Sequence, residues 1–317
     1  MGILTVTARC YGLCMARPID EQASNIADAR GIAGALSLYR FGRGDPTTRL
    51  DGTEFWRATL TPDGPATLHL SWATGALDAE AWGAGSQWML DRVEALSGAR
   101  DQPPSFADAH PVIARAAHRH PHLRLGASGT LYHELLPTIL GQRITAGEAI
   151  LQWHRLVRRL GEPAPGPHAD LLLPPAPTRL AGRPAWWFHP LGIEAKRAEP
   201  LRTVARHADR LWQWAVLSPT ECAAKLALLP GLGRWTIGSV LGPALGDPDA
   251  VPVGDYHLKN LVAYALAGRP RGTDDEMLDL LAPYAGQRGR VLRLLQLDGH
   301  SPPTFGPRQR ILPLSRW

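Results

Sequence analysis

The sequence predicts an α+β fold: a small antiparallel β-sheet domain with a helix at the N-terminal end, followed by a mostly α-helical region. Three observations predict it. Residues 53–60 and 66–72 are apolar, β-prone stretches joined by Thr61-Pro62-Asp63-Gly64-Pro65, the composition of a hairpin turn. From residue 106 onward apolar residues recur instead at three- and four-residue spacing, as along one face of a helix. Between two of those helical patterns lies Pro230-Gly231-Leu232-Gly233-Arg234, a tight turn whose glycines accept left-handed backbone angles.

In the first hundred residues Phe55, Leu60, Leu68, Leu70 and Trp72 supply the buried face of the two strands. Residues 32–39 add a further strand, and residues 78–96 read as a helix with Trp82, Met89, Val93 and Leu96 inward. Asp101-Gln102-Pro103-Pro104 marks a boundary. The expected division is an N-terminal α/β domain at 1–102, a helical region at 103–300 and a tail of mixed aromatic and arginine residues at 301–317.

The helical region opens with a short pattern over 106–118 that runs into a basic, histidine-rich stretch. His110, His118, His120 and His122 have neither an acid at ligand spacing nor the His-Glu-x-x-His order, so they read as surface rather than metal ligands. In 131–142 the core-facing set is Leu135, Leu136, Ile139 and Leu140, and Gly141 permits a close turn. Residues 149–160 form an amphipathic helix with Ile150, Trp153, Val157 and Leu160 on one face and Arg155, Arg158 and Arg159 largely elsewhere. Seven prolines in 162–184 make a loop or very short turns. A helix over 198–211 follows, with Trp212 and Trp214 read as core. Beyond residue 255, Leu258, Leu261, Val262, Ala265 and Leu266 repeat at helical spacing, and 274–281 and 290–297 supply two more helices.

Within 218–229 a short helix starts near Pro219 and packs Ala223, Leu226 and Leu229 on one side. The next helix begins near Trp235 and presents its unpaired N-terminal amides beside the glycine turn, a place suited to a phosphate. A dinucleotide fingerprint is excluded, because no strand precedes the turn and position 236 is Thr; no Gly-Lys-Ser/Thr follows, which excludes a P-loop. About twenty residues on, Pro252-Val253-Gly254-Asp255 stands just before a helical pattern. Asp255 reads as an N-cap accepting amides of Tyr256, His257 and Leu258, or as a reactive carboxylate. The two roles are compatible, since a carboxylate beside amides stays ionised.

Taken together, 229–236 (Leu-Pro-Gly-Leu-Gly-Arg-Trp-Thr) and 251–257 (Val-Pro-Val-Gly-Asp-Tyr-His) resemble the helix-hairpin-helix and Gly/Pro-Asp signature of the DNA glycosylase superfamily that includes endonuclease III. Within it the chain is most similar to the bacterial 3-methyladenine DNA glycosylase II type. Ile-Leu-Gly-Gln at 139–142 resembles the element preceding the side chain that fills the gap left by an extruded nucleotide, which makes Gln142 and Arg143 the wedge candidates. Gln142 reads equally as a group that closes a helix end, and an arginine departs from the apolar wedge usual in that type. The resemblance spans residues 105–297 and, loosely, the first hundred.

The resemblance implies a helix-hairpin-helix glycosylase core acting on double-stranded DNA that holds a damaged base, with Asp255 catalytic. Pro230, Gly231, Leu232, Gly233 and Arg234 would grip the backbone, with room for a monovalent cation at the hairpin and no other metal or cofactor. Bifunctional relatives carry a lysine where this chain has Trp235, so the resemblance implies a monofunctional hydrolase that leaves an abasic site in base excision repair, with water as nucleophile. The expected lesion is an alkylated purine such as 3-methyladenine or 7-methylguanine, with Trp235, Tyr256, Ser239 and Arg288 as base-pocket candidates. Ser239 stands where the type often offers a tyrosine, and 286–290 lacks its usual tryptophan. An oxidised or mismatched base, or a catalytically inactive DNA-binding protein, are the alternative readings.

Composition agrees with a polyanionic partner without requiring one: the formal charge is +5 over 317 residues, and Lys196, Lys225 and Lys259 are the only lysines. Cys10, Cys14 and Cys222 cannot form a disulfide scaffold or a four-cysteine iron–sulfur cluster. No apolar run approaches the length of a membrane span, and a soluble, monomeric, cytoplasmic protein is expected.

Overall fold

The computed structural model describes residues 6–11 and 29–302 of the chain. Cys14 and residues 303–317 of the expected tail lie outside the described residues.

Five strands, β1 (Val6–Tyr11), β2 (Thr48–Asp51), β3 (Glu54–Thr61), β4 (Gly64–Ser71) and β5 (Leu77–Trp82), form one sheet in the order β1-β5-β4-β3-β2. The β3–β4 hairpin is the one the sequence predicts, with Phe55 opposite Leu70 and Arg57 opposite Leu68. All pairings are antiparallel except that β1 runs parallel to β5.

Two expectations are corrected here. Residues 32–39 are not a strand: they fall in helix α1 (Ala29–Leu36) and a 3-10 turn at Ser37–Tyr39. The buried set Ile32, Ala35, Leu36 and Tyr39 has three-, four- and seven-residue spacing, which only a helical backbone brings to one side. The helix expected over 78–96 is strand β5 followed by two short helices, α2 (Ser86–Leu90) and α3 (Val93–Leu96). Ala and Glu favour a helix intrinsically, yet Leu77, Ala79 and Ala81 are buried at strict alternation and β5 pairs on both edges. α1, α2 and α3 cover one sheet face, burying Met89, Val93 and Leu96 against Phe55, Leu68, Leu70 and Leu77.

The helical region comprises α4 (Pro111–Arg119), α5 (Leu131–Leu140), α6 (Ala146–Leu160), α7 (Pro177–Ala181), a 3-10 segment (Ala185–Leu191), α8 (Ala195–Arg206), α9 (Ala208–Trp214), α10 (Pro219–Leu226), α11 (Arg234–Leu245), α12 (Leu258–Ala267), α13 (Asp274–Leu281) and α14 (Arg288–Leu297). The helix expected over 198–211 is thus two, divided at His207, whose Nδ1 lies 2.8 Å from the Thr203 carbonyl oxygen. α6 starts at Thr145, whose side chain accepts the Glu148 amide.

Two apolar clusters build this region. One centres on α5 and takes in α6, α8, α9, α10 and α11; the other joins α4 to α12, α13 and α14. The loop between α11 and α12 crosses from the first to the second, with Ala250 packed on one and Val251 on the other. That crossing loop carries Asp255.

α5 is buried nearly all round, and its polar residues near the N-terminal end meet the sheet. Arg57, fully buried on β3, donates Nη2 to Glu134 Oε1 at 2.5 Å and Nη1 to the Tyr39 carbonyl at 3.0 Å. His133 Nδ1 lies 2.9 Å from Thr59 Oγ1 and 3.2 Å from Arg57 Nη2. Burial, reinforced by Arg57, holds the His133 imidazole well below its usual range. Burial also pushes the Glu134 carboxyl up, although Arg57 pulls against it. This polar seam fixes the sheet against α5.

Candidate active site

The hairpin is assembled by two caps of different kind. α10 begins in a capping box: Ser218 accepts the Glu221 amide while the Glu221 carboxylate accepts the Ser218 amide. α11 begins at Gly233 with no side-chain cap, so its first amides face outward without a protein acceptor from that residue. Gly231 sits at φ +89°, and a Cβ there would lie 2.3 Å from Pro200 Cγ of α8. Glycine is therefore required twice over, by the angle and by the packing. Leu232 turns inward and is buried, while Pro230, Gly231, Gly233 and Arg234 stay exposed.

Gly238, one turn into α11, sets the distance between hairpin and crossing loop. A Cβ at that position would lie 2.1 Å from the Val251 carbonyl oxygen, so the loop lies directly on the α11 backbone. The loop's far side is fastened by Arg288, which donates Nε to Asp249 Oδ1 at 2.8 Å, places Nη2 on Asp249 Oδ2 and gives its backbone amide to Oδ1. Burial raises the Asp249 carboxyl, but the Arg288 hydrogen bonds outweigh it and hold that group below the usual carboxylate range. Arg288 thus faces Asp249.

Asp255 occupies the end of this loop, half-buried. Its Oδ1 accepts the amides of His257 at 2.8 Å and Leu258 at 3.1 Å, and its Oδ2 accepts the indole N–H of Trp235 at 3.0 Å. The helix-capping arrangement anticipated from sequence is present, through two of the three amides named. The third donor, Trp235 Nε1, was not anticipated. Its only signal in the sequence is a ring with a single N–H donor on the first turn of α11, facing a carboxylate twenty positions on.

Trp235 also reaches the other way. Its Cη2 lies 3.3 Å from where a Cβ on Gly141 would stand, at the C-terminal end of α5. Next to it, Gln142 Nε2 donates to the Gly231 carbonyl at 3.0 Å and to Thr236 Oγ1 at 2.8 Å. Thr236, absent from the candidate residues, is the hinge of that contact. Arg143 is exposed and takes φ +60°, the one positive value among the described non-glycine residues. The fold therefore brings together residues 141–143, the hairpin, Trp235 and Asp255, three segments far apart in the chain.

The remaining candidates lie at its margin. Ser239 donates Oγ to the Trp235 carbonyl at 2.7 Å, a bond within α11. Tyr256 is 76% exposed, with its ring edge-to-face against His257 at 5.0 Å. Lys259 stands in the first turn of α12 with Nζ 3.8 Å from Asp274 Oδ2, and Asp274 also accepts the Gly254 amide. Cys222 is buried in α10, where desolvation pushes its thiol up to about 11. It is not a nucleophile of this site.

The fold, a helical bundle beside a five-stranded sheet, is shared with solved structures. The 3-methyladenine DNA glycosylase of Archaeoglobus fulgidus superposes with a TM-score of 0.68 over 83% of this chain and 94% of its own, at 17% identity. The fold is that of the helix-hairpin-helix DNA glycosylases. The structure of MBOgg1 in complex with a low-affinity DNA ligand gives a TM-score of 0.62 at 16% identity, covering 81% of this chain and 89% of its own. The Clostridium acetobutylicum 8-oxoguanine glycosylase/lyase, bound to double-stranded DNA with cytosine opposite 8-oxoG, gives 0.60 at 13% identity, covering 82% and 89%. No family model matches the sequence, and no curated protein does. At these identities the likeness is one of fold.

Proposed function

We propose that this chain is a monofunctional DNA glycosylase that hydrolyses the N-glycosidic bond of a damaged base swung out of duplex DNA. The observation that carries this reading is the Asp255 carboxylate, held by two helix amides and the Trp235 indole beside an uncapped hairpin. The amides around 232–234 bind backbone phosphate and fix register, with Arg234 adding a charge-assisted contact. The Leu229 carbonyl accepts the Leu232 amide and the Gly231 carbonyl accepts Gln142. Each oxygen keeps a second lone pair, and these two carbonyls would be the ones to hold a monovalent cation at the turn. Arg143 is the wedge: Gln142 has its amide engaged in the hairpin, whereas Arg143 projects from a backbone angle that costs about 1–2 kcal/mol.

In the reaction the bond from the anomeric carbon to the base breaks, and its electron pair leaves with the base. Positive charge grows on the sugar, and the fixed Asp255 carboxylate stabilises it. Water then adds to the anomeric carbon, and the carboxylate accepts its proton. With an indole in place of an amine at 235, no Schiff base forms there and the sugar–phosphate chain stays intact. The chain acts as a cytoplasmic monomer on double-stranded DNA.

For the lesion, an alkylated purine is the main reading. Such a base carries positive charge and is already a good leaving group, so one carboxylate suffices; Trp235 and the exposed Tyr256 offer electron-rich rings. A second reading, an oxidised purine, is supported by likeness to the Clostridium acetobutylicum 8-oxoguanine glycosylase/lyase. Ser239 and Arg288 have their polar groups engaged within the protein, which leaves less at hand for a cationic pocket.

The test is base release from duplexes holding 3-methyladenine and 7-methylguanine, 8-oxoguanine opposite cytosine, or a mismatch, with strand breaks scored before and after hot alkali. Release from the alkylated duplex with breaks only after alkali is expected. Release confined to 8-oxoguanine moves the lesion to the second reading. Breaks before alkali overturn the hydrolytic assignment, and binding without release from any duplex leaves a DNA-binding protein.

A further inference from the structure

Outside the site just described, the surface at Ala185–Leu191 carries a group of side chains that the glycosylase reading does not use. Trp186 is 68% exposed. In a 3-10 segment successive side chains point about 120° apart, so Trp187, the next residue, turns back onto the protein. There its ring meets Phe188 edge-to-face at 5.2 Å, and Phe188 is fully buried. Two guanidinium groups lie over the Trp187 ring, that of Arg183 at 4.9 Å and that of Arg159 at 5.9 Å. Both arginines are exposed. The segment is fastened behind by Gln152 of α6, whose Nε2 donates to the Gly192 carbonyl at 2.6 Å.

Trp186 thus offers an exposed indole one residue away from a ring over which two guanidinium groups lie. A ring with free faces stacks bases irrespective of their identity, and adjacent guanidiniums take the phosphates between them. The geometry points to a second nucleic-acid contact at Trp186, Arg183 and Arg159, which takes unpaired bases of a single-stranded segment by stacking and its backbone by charge. An acidic peptide would satisfy the arginines but would leave the indole faces without a planar partner.

The test uses the full chain and a fluorescein-labelled oligothymidylate of twelve residues, with binding followed by anisotropy at several salt concentrations. The measurement is made in the presence of saturating unlabelled abasic duplex, which occupies the hairpin. Oligothymidylate is expected to bind under that condition. Trp186→Ala should weaken it about tenfold, the range of one lost base–aromatic stack, and Trp186→Phe should restore most of the loss. Arg183→Ala should lower the steepness of the salt dependence by about 0.7, the value for one phosphate on a single strand. Base release from damaged duplex should be unchanged in all three variants, so this proposal stands or falls separately from the glycosylase reading. Loss of oligothymidylate binding when the duplex is added, or equal affinity of wild type and Trp186→Ala, overturns it. Poly-glutamate competing as well as oligothymidylate, with the same loss in Trp186→Ala and in Arg183→Ala, overturns it in favour of an acidic protein partner.

Discussion

α5 has polar groups at both of its ends, and the two ends use them in opposite ways. At the N-terminal end, Arg57, His133 and Glu134 are sealed between sheet and helix, each facing another protein group. At the C-terminal end, Gly141 and Gln142 meet the hairpin, where Trp235 and Asp255 remain half-exposed. The buried seam directs its hydrogen bonds inward to position the sheet. The hairpin end leaves helix amides and a carboxylate edge facing solvent. Polarity buried at the seam therefore serves alignment, and polarity left open at the hairpin is what the proposed chemistry uses.

The comparison can be broken most severely at the seam. Arg57→Leu leaves Glu134 buried without its partner, and denaturant unfolding should show a loss of about 3–5 kcal/mol. If that variant unfolds like wild type, the seam is not what aligns the sheet with α5. At the open end, Gly231→Ala meets both the +89° angle and Pro200, and it should cost about 1–3 kcal/mol in stability with weakened duplex affinity. Trp235→Phe keeps an aromatic ring but removes the donor to Asp255 and the indole edge that reaches Gly141. It should lower base release about tenfold, as expected for one hydrogen bond to a charged group, with a stability cost of about 1–2 kcal/mol for the lost packing.

The smallest effect is on pH dependence. His133 has a folded value well below 6.5, so the folded protein binds fewer protons than the unfolded chain in that region. Its contribution is present above about pH 6.5 and is lost as pH falls towards the folded value. Glu134 acts in the reverse sense, because its folded value lies above 4.5 and stability declines as pH rises through it. Unfolding free energies of His133→Gln measured from pH 7 to pH 5 should lose the first slope and leave the second exposed. An unchanged profile would mean that His133 is not sealed.

Sequence reasoning recovered what local chemistry dictates. The hairpin turn between β3 and β4, the helix at Asp274–Leu281 and the glycine turn at 230–234 are each written in neighbouring residues. It failed where tertiary partners decide. Leu77–Trp82 has helix-forming composition but lies between two strands, and 32–39, expected as a strand, buries its apolar residues at helical spacing. At the site, Asp255 was legible from its place before a helix. Its bond to Trp235 was not, because that contact depends on the loop resting against Gly238, and nothing in the local pattern encodes how closely two backbones approach. The engagement of Arg288 with Asp249 escaped for the same reason, the two being 39 residues apart.

The most direct test of the central claim is Asp255→Asn, assayed on whichever damaged duplex the wild type releases a base from and unfolded in denaturant alongside it. Asparagine keeps one oxygen for the His257 and Leu258 amides but removes the charge. The account predicts a fall in base release of at least about 10²–10³-fold, with stability lowered by no more than about 2 kcal/mol. Release within tenfold of wild type would contradict it, and Asp255 would then be a helix cap alone.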